Sequence, residues 1–177
     1  MSDEIEVKLT VNGVPCVVRT HPFKTLLRTL REDLDLTAAK EGCGQGDCGS
    51  CIVVMNGVAV NSCLILTPQA EGTDVITLEG LGHGDELHPL QRHFRDNWAF
   101  QCGYCTPGML MSAYALLLKT KQPTVAEIKQ AIEGNLCRCT SYRTIIESIR
   151  AAAEELHMHR EPSKASPAVE SSRGRAI

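Results

Sequence analysis

Eight of the nine cysteines fall into two groups of four. The first is Cys43, Cys48, Cys51 and Cys63, and it begins inside Gly42-Cys43-Gly44-Gln45-Gly46-Asp47-Cys48-Gly49-Ser50-Cys51. Its opening C-x4-C-x2-C is the plant-type spacing for a 2Fe–2S cluster. Iron bridged by sulfide prefers thiolate ligands, and a 2Fe–2S rhomb needs four of them. Gly42, Gly44, Gly46 and Gly49 let the loop wrap closely, because glycine reaches positive φ without strain. Their N–H groups can point at cluster sulfurs, which stabilises the reduced, more negative state. Cys63 arrives from the far side of a predicted hairpin to close the cage.

The second group is Cys102, Cys105, Cys137 and Cys139. Cys102 and Cys105 lie in Gln101-Cys102-Gly103-Tyr104-Cys105-Thr106-Pro107-Gly108, at a predicted helix N-terminus, where the dipole favours a thiolate. Cys137 and Cys139 lie in Gly134-Asn135-Leu136-Cys137-Arg138-Cys139, between two predicted helices. Spacing alone leaves two readings open here: a second iron–sulfur site, or a structural zinc held by four thiolates. C-x-C is unusual for zinc, and the companion loop favours iron.

The elements that must carry these loops change character near residue 80. Ile5, Val7, Leu9 and Val11 alternate, Asn12-Gly13 signals a hairpin turn, and Val14, Cys16 and Val18 alternate on a second strand. Leu26, Leu27, Leu30 and Leu34 have helical spacing, which predicts a helix over Thr25–Leu34. Cys51–Met55, Asn56-Gly57 and Val58–Val60 read as another hairpin. A short helix over Leu64–Ala70 and a strand over Asp74–Leu78 complete an α+β unit. Beyond Gly80-Leu81-Gly82-His83-Gly84, the four-residue repeat of Leu90, Phe94 and Trp98 predicts a helix over Pro89–Phe100. Thr106-Pro107 opens an apolar helix continuing from Met109 to Leu118. Thr124-Val125-Ala126-Glu127 is a capping box for a helix to Glu133, and a fourth helix runs from about Tyr142 to Leu156. Four helices close in sequence can form a small bundle. The division expected is 1–80, 81–160 and a disordered tail over 161–177, rich in Ser, Pro, Ala and charge.

Composition excludes several classes. The 177 residues are 43% hydrophobic and 22% charged, as in an ordinary globular protein. A formal net charge of −3 argues against non-specific nucleic-acid binding. No apolar run approaches the roughly 20 residues needed to span a bilayer. The acidic Met1-Ser2-Asp3-Glu4-Ile5-Glu6 start lacks the apolar core of a secretory signal. With an odd cysteine count and tight cysteine clustering, that argues against a disulfide scaffold and for a reducing, cytoplasmic setting.

Other features read as structural. Cys16 alternates with Val14 and Val18 and is expected to be a small buried hydrophobe. None of the six histidines pairs with a cysteine as a Rieske centre requires. Gly44, Gly46 and Gly49 spell G-x-G-x-x-G, but a dinucleotide site needs a strand before it and a helix opening at its end. Here the predicted order is reversed, so the match is accidental. Met109, Leu110, Met111, Tyr114 and Leu117 are expected in a bundle core, with a partner-facing role as the other option. Tyr104 and Arg138 sit inside the ligand loops, where cofactor contact and plain packing explain them equally well. No general base is apparent.

Gly42–Cys51, Gln101–Gly108 and Gly134–Thr140 followed by Tyr142-Arg143 resemble the small iron–sulfur subunit of the molybdenum hydroxylases, the xanthine oxidase and carbon monoxide dehydrogenase family. The resemblance covers residues 4 to 157. It implies an N-terminal plant-ferredoxin-like β-grasp domain followed by a C-terminal four-helix bundle with an approximate two-fold. It implies two 2Fe–2S clusters. Cys43, Cys48, Cys51 and Cys63 would hold the distal one, and Cys102, Cys105, Cys137 and Cys139 the one near the molybdopterin. Gln101 and Cys139 match positions that approach the pterin. The implied partners are a large molybdopterin-binding subunit and a medium FAD-binding subunit or a cytochrome-type acceptor, in a dimer of heterotrimers. Ser141 stands where many relatives have glycine, which puts the local backbone angle in question. Gln45 stands where an acidic residue is common. The function implied is electron transfer by a catalytically inert subunit. The alternatives are a free-standing two-cluster ferredoxin and a zinc-stabilised binding module.

Overall fold

The computed structural model describes residues 4–158, apart from His83 and Asp85. The expected disordered tail over 161–177 lies outside the described residues. Strands β1 (Ile5–Val11) and β2 (Val14–Thr20) pair antiparallel, with Val11 opposite Val14 and Ile5 opposite Thr20. Asn12 and Gly13 both take positive φ, 51° and 78°, the pair of angles a two-residue hairpin of matching twist requires. Strands β3 (Ile52–Met55) and β4 (Val58–Asn61) form a second hairpin around Asn56-Gly57. Strand β5 (Asp74–Ile76) joins the two, parallel to β1 and antiparallel to β3. The mixed sheet therefore runs β2-β1-β5-β3-β4.

Val7, Leu9 and Val11 point into the core, as their alternation predicts, and pack with Leu26, Leu27 and Leu30. Those leucines come from helix α1 (Leu26–Arg28) and a wider π-helical turn, Thr29–Asp33. The uninterrupted helix expected over Thr25–Leu34 is thus interrupted. Leu34 N–H donates to Thr29 C=O, five residues back, at 3.2 Å. The Thr29 hydroxyl is buried on that of Thr67 at 2.8 Å. The wider turn keeps this polar pair bonded while all three leucines remain in the core. The predicted short helix before residue 70 is a single 3₁₀ turn, Thr67–Ala70, with Pro68 as its second residue.

Four helices follow: α2 (Pro89–Asp96), α3 (Thr106–Lys119), α4 (Val125–Ile132) and α5 (Tyr142–Met158). Helix α2 lies along α5, α3 against α4, and α3 also packs on β3. Leu90, Phe94, Met109, Ile128, Ile145 and Ile149 fill the centre. No described helix is long and apolar enough to cross a membrane. The capping box forms as predicted: Thr124 Oγ1 accepts from Glu127 N–H at 3.3 Å, and Glu127 Oε2 accepts from Thr124 N–H at 2.7 Å.

Two further expectations are corrected. Helix α2 stops at Asp96, not Phe100. Trp98 turns left-handed, with φ of 54°, and is 79% exposed. Ala99 N–H closes back on Phe94 C=O at 2.9 Å, so the small alanine enters the core in place of the indole. Met111 is fully buried, but against Ile52, Val54 and Leu81. It joins helix α3 to the sheet and does not belong to the helical core. Cys16 is half-buried and donates to Leu9 C=O at 3.4 Å.

Candidate iron–sulfur sites

The first loop leaves the π-helical turn, crosses residues 41–50 and enters β3. Gln45 and Asp47 both donate backbone N–H groups to Cys43 Sγ, at 3.4 and 3.3 Å. These amides, Gln45 foremost and Cys48 next, pull the Cys43 thiol down to about 7. Cys48 lies within hydrogen-bonding reach of Cys43. A Cβ on Gly42 would stand 2.7 Å from Cys48 Sγ, so a side chain there would push that thiol aside. Cys51, at the mouth of β3, faces Cys63, which follows β4. Both are buried, and desolvation pushes Cys63 up to about 12.

The second group forms where the start of α3 meets the α4–α5 connection. Cys139 Sγ lies 3.5 Å from Cys102 Sγ, and both residues are exposed. Cys105 faces Cys137, and burial pushes Cys105 up to about 12. Thr140 N–H donates to Cys137 Sγ at 3.4 Å. All eight grouped cysteines, and Cys16, are free thiols. Among the described residues, no three His, Cys, Asp or Glu side chains close on one point that could hold a single metal ion. The thiols meet two by two instead. That arrangement suits a two-iron rhomb, which takes two thiolates at each iron, and the amide donors aimed at sulfur suit its negative charge. The residues present therefore fit two such groups.

The two sites share a joint. Leu136 N–H donates to Cys48 C=O at 3.0 Å. Asn135 is 1% exposed; its Nδ2 donates to Gly49 C=O at 3.1 Å, and its Oδ1 accepts from the Ser112 hydroxyl at 2.8 Å. Tyr104 O–H reaches Glu41 C=O at 2.6 Å, tying the second loop to the approach of the first. A Cβ on Gly108 would overlap Gly49 C=O, and a Cβ on Gly49 would overlap Gly134 C=O. Gly49 also takes φ of 70°. The glycines at this joint are thus explained by close approach as much as by the loop they sit in.

A 2Fe–2S iron–sulfur cluster binding domain matches residues 9–75, and a second 2Fe–2S binding domain matches residues 77–150. The nicotinate dehydrogenase small FeS subunit of Eubacterium barkeri is 47% identical over 86% of this chain and 97% of its own length. The chain belongs to the small iron–sulfur subunits of the molybdenum hydroxylase family. The xanthine dehydrogenase iron-sulfur-binding subunit of Escherichia coli O157:H7 is 40% identical, covering 84% of this chain and 94% of its own. Quinoline 2-oxidoreductase from Pseudomonas putida 86 has a chain that superposes with a TM-score of 0.85 at 43% identity, over 89% of this chain and 98% of that one. The sequence expectation of a ferredoxin-like unit followed by a helical 2Fe–2S unit therefore holds. This small subunit serves electron transfer in a molybdopterin-dependent oxidoreductase and carries two 2Fe–2S domains.

Other residues singled out in the sequence have definite places. Gln101 is exposed beside Cys102. Gln45 Nε2 donates to Asp47 Oδ2 at 2.8 Å. Ser141 is not among the residues of positive φ, and its Oγ accepts from Arg143 N–H at 3.3 Å at the start of α5. The serine at this position caps the helix. Tyr142, the start of α5 and part of the motif that carries the resemblance, has a further place. Its hydroxyl donates to Asn135 C=O at 2.6 Å and accepts from Cys137 N–H at 2.9 Å, steadying a ligand loop. The role of Asn135 is invisible in the sequence, because burial between two loops distant along the chain leaves no local mark.

Proposed function

We propose that this subunit takes single electrons from a molybdenum–pterin centre on a large partner subunit. They enter at Cys102, Cys105, Cys137 and Cys139, continue to Cys43, Cys48, Cys51 and Cys63, and leave to a flavin subunit or a cytochrome-type acceptor. Each four-cysteine set would hold one 2Fe–2S cluster, whose chemistry when bound is reversible one-electron storage. The observation that carries this reading is the Leu136 N–H bond to Cys48 C=O, which joins the residue before one ligand to the backbone of another. Exposure supports the direction. Gln101, Cys102 and Cys139 are exposed, and Trp98, Tyr104 and Leu136 are exposed apolar residues from the neighbouring segments. That edge is where the large subunit would dock, with Gln101 and Cys139 against the pterin. Cys51 and Cys63, by contrast, are buried.

The finer architecture goes with this reading. The sheet order supports a β-grasp fold for residues 1–80. Helices α2–α5 support a four-helix bundle over 81–160, in which Cys105-Thr106 at the start of α3 and Cys139-Thr140 just before α5 are the counterparts of an approximate two-fold. A cytoplasmic dimer of heterotrimers is the expected assembly. Substrate oxidation takes place on the large subunit.

Low-temperature electron paramagnetic resonance on the reduced complex, with iron and acid-labile sulfide analysis, tests the reading. Two distinct signals of comparable intensity are expected, with iron and sulfide matching two clusters. Zinc in place of iron at the second group would overturn it.

A further inference from the structure

Among the described residues, three buried side-chain oxygens find no hydrogen-bond partner: those of Thr20, Thr106 and Thr140. Thr20 closes β2, far from both cysteine groups in sequence. The other two directly follow second-group cysteines, Cys105 and Cys139. A buried hydroxyl without a partner is costly, and native proteins rarely leave one so.

Neither threonine spends its hydroxyl on a helix. The N-cap position of α3 is Cys105, and no side chain caps that end. At α5 the capping hydrogen bond comes from Ser141, whose Oγ accepts from Arg143 N–H at 3.3 Å. Thr140 is also aimed by its backbone, since its N–H points at Cys137 Sγ at 3.4 Å. Two buried hydroxyls therefore flank one four-thiol set from its two halves: that of Thr106 has no partner in the protein, and that of Thr140 lies beside the Cys137 thiol. No such pair flanks the first set, where the donors to Cys43 Sγ are the Gln45 and Asp47 amides.

We propose that the Thr106 and Thr140 hydroxyls donate hydrogen bonds to sulfur of the cluster held by Cys102, Cys105, Cys137 and Cys139, and thereby raise its reduction potential. This rests on the reading that those cysteines hold a 2Fe–2S cluster. Each added electron increases the negative charge on the sulfurs, so an O–H donor stabilises the reduced form more than the oxidised one. The two threonines are positioning and tuning residues, and they make the second site a better electron acceptor. Backbone amides reach sulfur at both sites, as at Cys43 and Cys137, and side-chain substitution cannot remove them. The second is adjustable through two side chains.

The test is a redox titration of the purified complex followed by electron paramagnetic resonance. Thr106→Val and Thr140→Val keep shape and remove the hydroxyl; Thr106→Ser and Thr140→Ser keep it. The expected result is a lower midpoint for one signal only, lowered further in the double Val variant, with the Ser variants at the wild-type value. Exchangeable-proton hyperfine couplings on that signal, recorded in H2O against D2O, should be lost in the Val variants. Thr→Ala variants give the same reading where Val does not load. Midpoints and couplings unchanged, with both signals present, would overturn the proposal. A second signal missing from the wild-type complex would instead overturn the cysteine assignment.

Discussion

Asn135 Nδ2 donates to Gly49 C=O at 3.1 Å, across 86 positions of sequence. The same side chain accepts from the buried Ser112 hydroxyl, so one amide holds α3 and both cysteine loops in register. Asn135→Ala removes donor and acceptor together. It leaves the buried Ser112 hydroxyl without its partner, at a cost of roughly 1–3 kcal/mol, and leaves the Gly49 carbonyl only its bond from Ile52 N–H at 3.2 Å. The expected outcome is a lower melting temperature. Magnetic coupling between the two reduced clusters should also weaken, as read from spectral splitting. Unchanged coupling in a destabilised variant would show that Asn135 supports the fold without setting the spacing.

Gly108→Ala is the harsher change at the same joint. Its Cβ would overlap Gly49 C=O, which is backbone and cannot swing aside. Separation of the two loops is expected, with a fall in iron content and in visible absorption per chain. Wild-type iron loading in this variant would mean that the joint yields more than its packing suggests.

Cys137→Ala should erase one of the two paramagnetic signals and leave the other. Cys137 faces Cys105, while Cys43 and Cys48, and Cys51 and Cys63, meet at a separate site. Loss of both signals, or of neither, contradicts the grouping.

His88 gives the fold a pH response. Its Nδ1 accepts from Leu90 N–H at 3.2 Å at the start of α2, a role open only to the unprotonated nitrogen. Burial, and then the Arg92 guanidinium, lower its pKa, with Glu155 opposing them. The unfolded chain therefore binds a proton near pH 6.5 that the folded chain still refuses, and stability falls as pH falls below that point. The melting temperature should drop between about pH 7 and pH 5.5. His88→Asn keeps a capping acceptor without the titration, and should flatten that slope. An equal slope in the variant would assign the response to another group.

Phe94→Ala tests the helical core. Phe94 is 1% exposed, and its removal leaves a cavity worth about 3–5 kcal/mol. Chemical denaturation should show this loss. A cost below 1 kcal/mol would mean that the core collapses around the gap.

Much of this was legible along the chain because it is local. Asn12-Gly13 and Asn56-Gly57 mark two hairpins by backbone chemistry alone, and both turns take the positive φ expected of them. Thr124 and Glu127 cap α4 through residues three apart. His88 was passed over, although Pro89 after it and Gln91 three residues on carry the same kind of signal. Trp98 misled because an apolar residue at the fourth position continues a helical stripe until the backbone turns left-handed.

Cysteine identity and spacing determined the chemistry of this subunit, since thiolate count and loop length fix what metal group a loop can grip. Glycine placement determined where those loops can bend. Tertiary structure alone decided that Asn135 and Tyr142 lock the loops together. It also decided that Met111 belongs to the sheet, and that the Thr106 and Thr140 hydroxyls are buried beside the second cysteine set. The reason is physical: burial and hydrogen bonding across tens of residues depend on which surfaces meet, and no period or spacing along the chain records that.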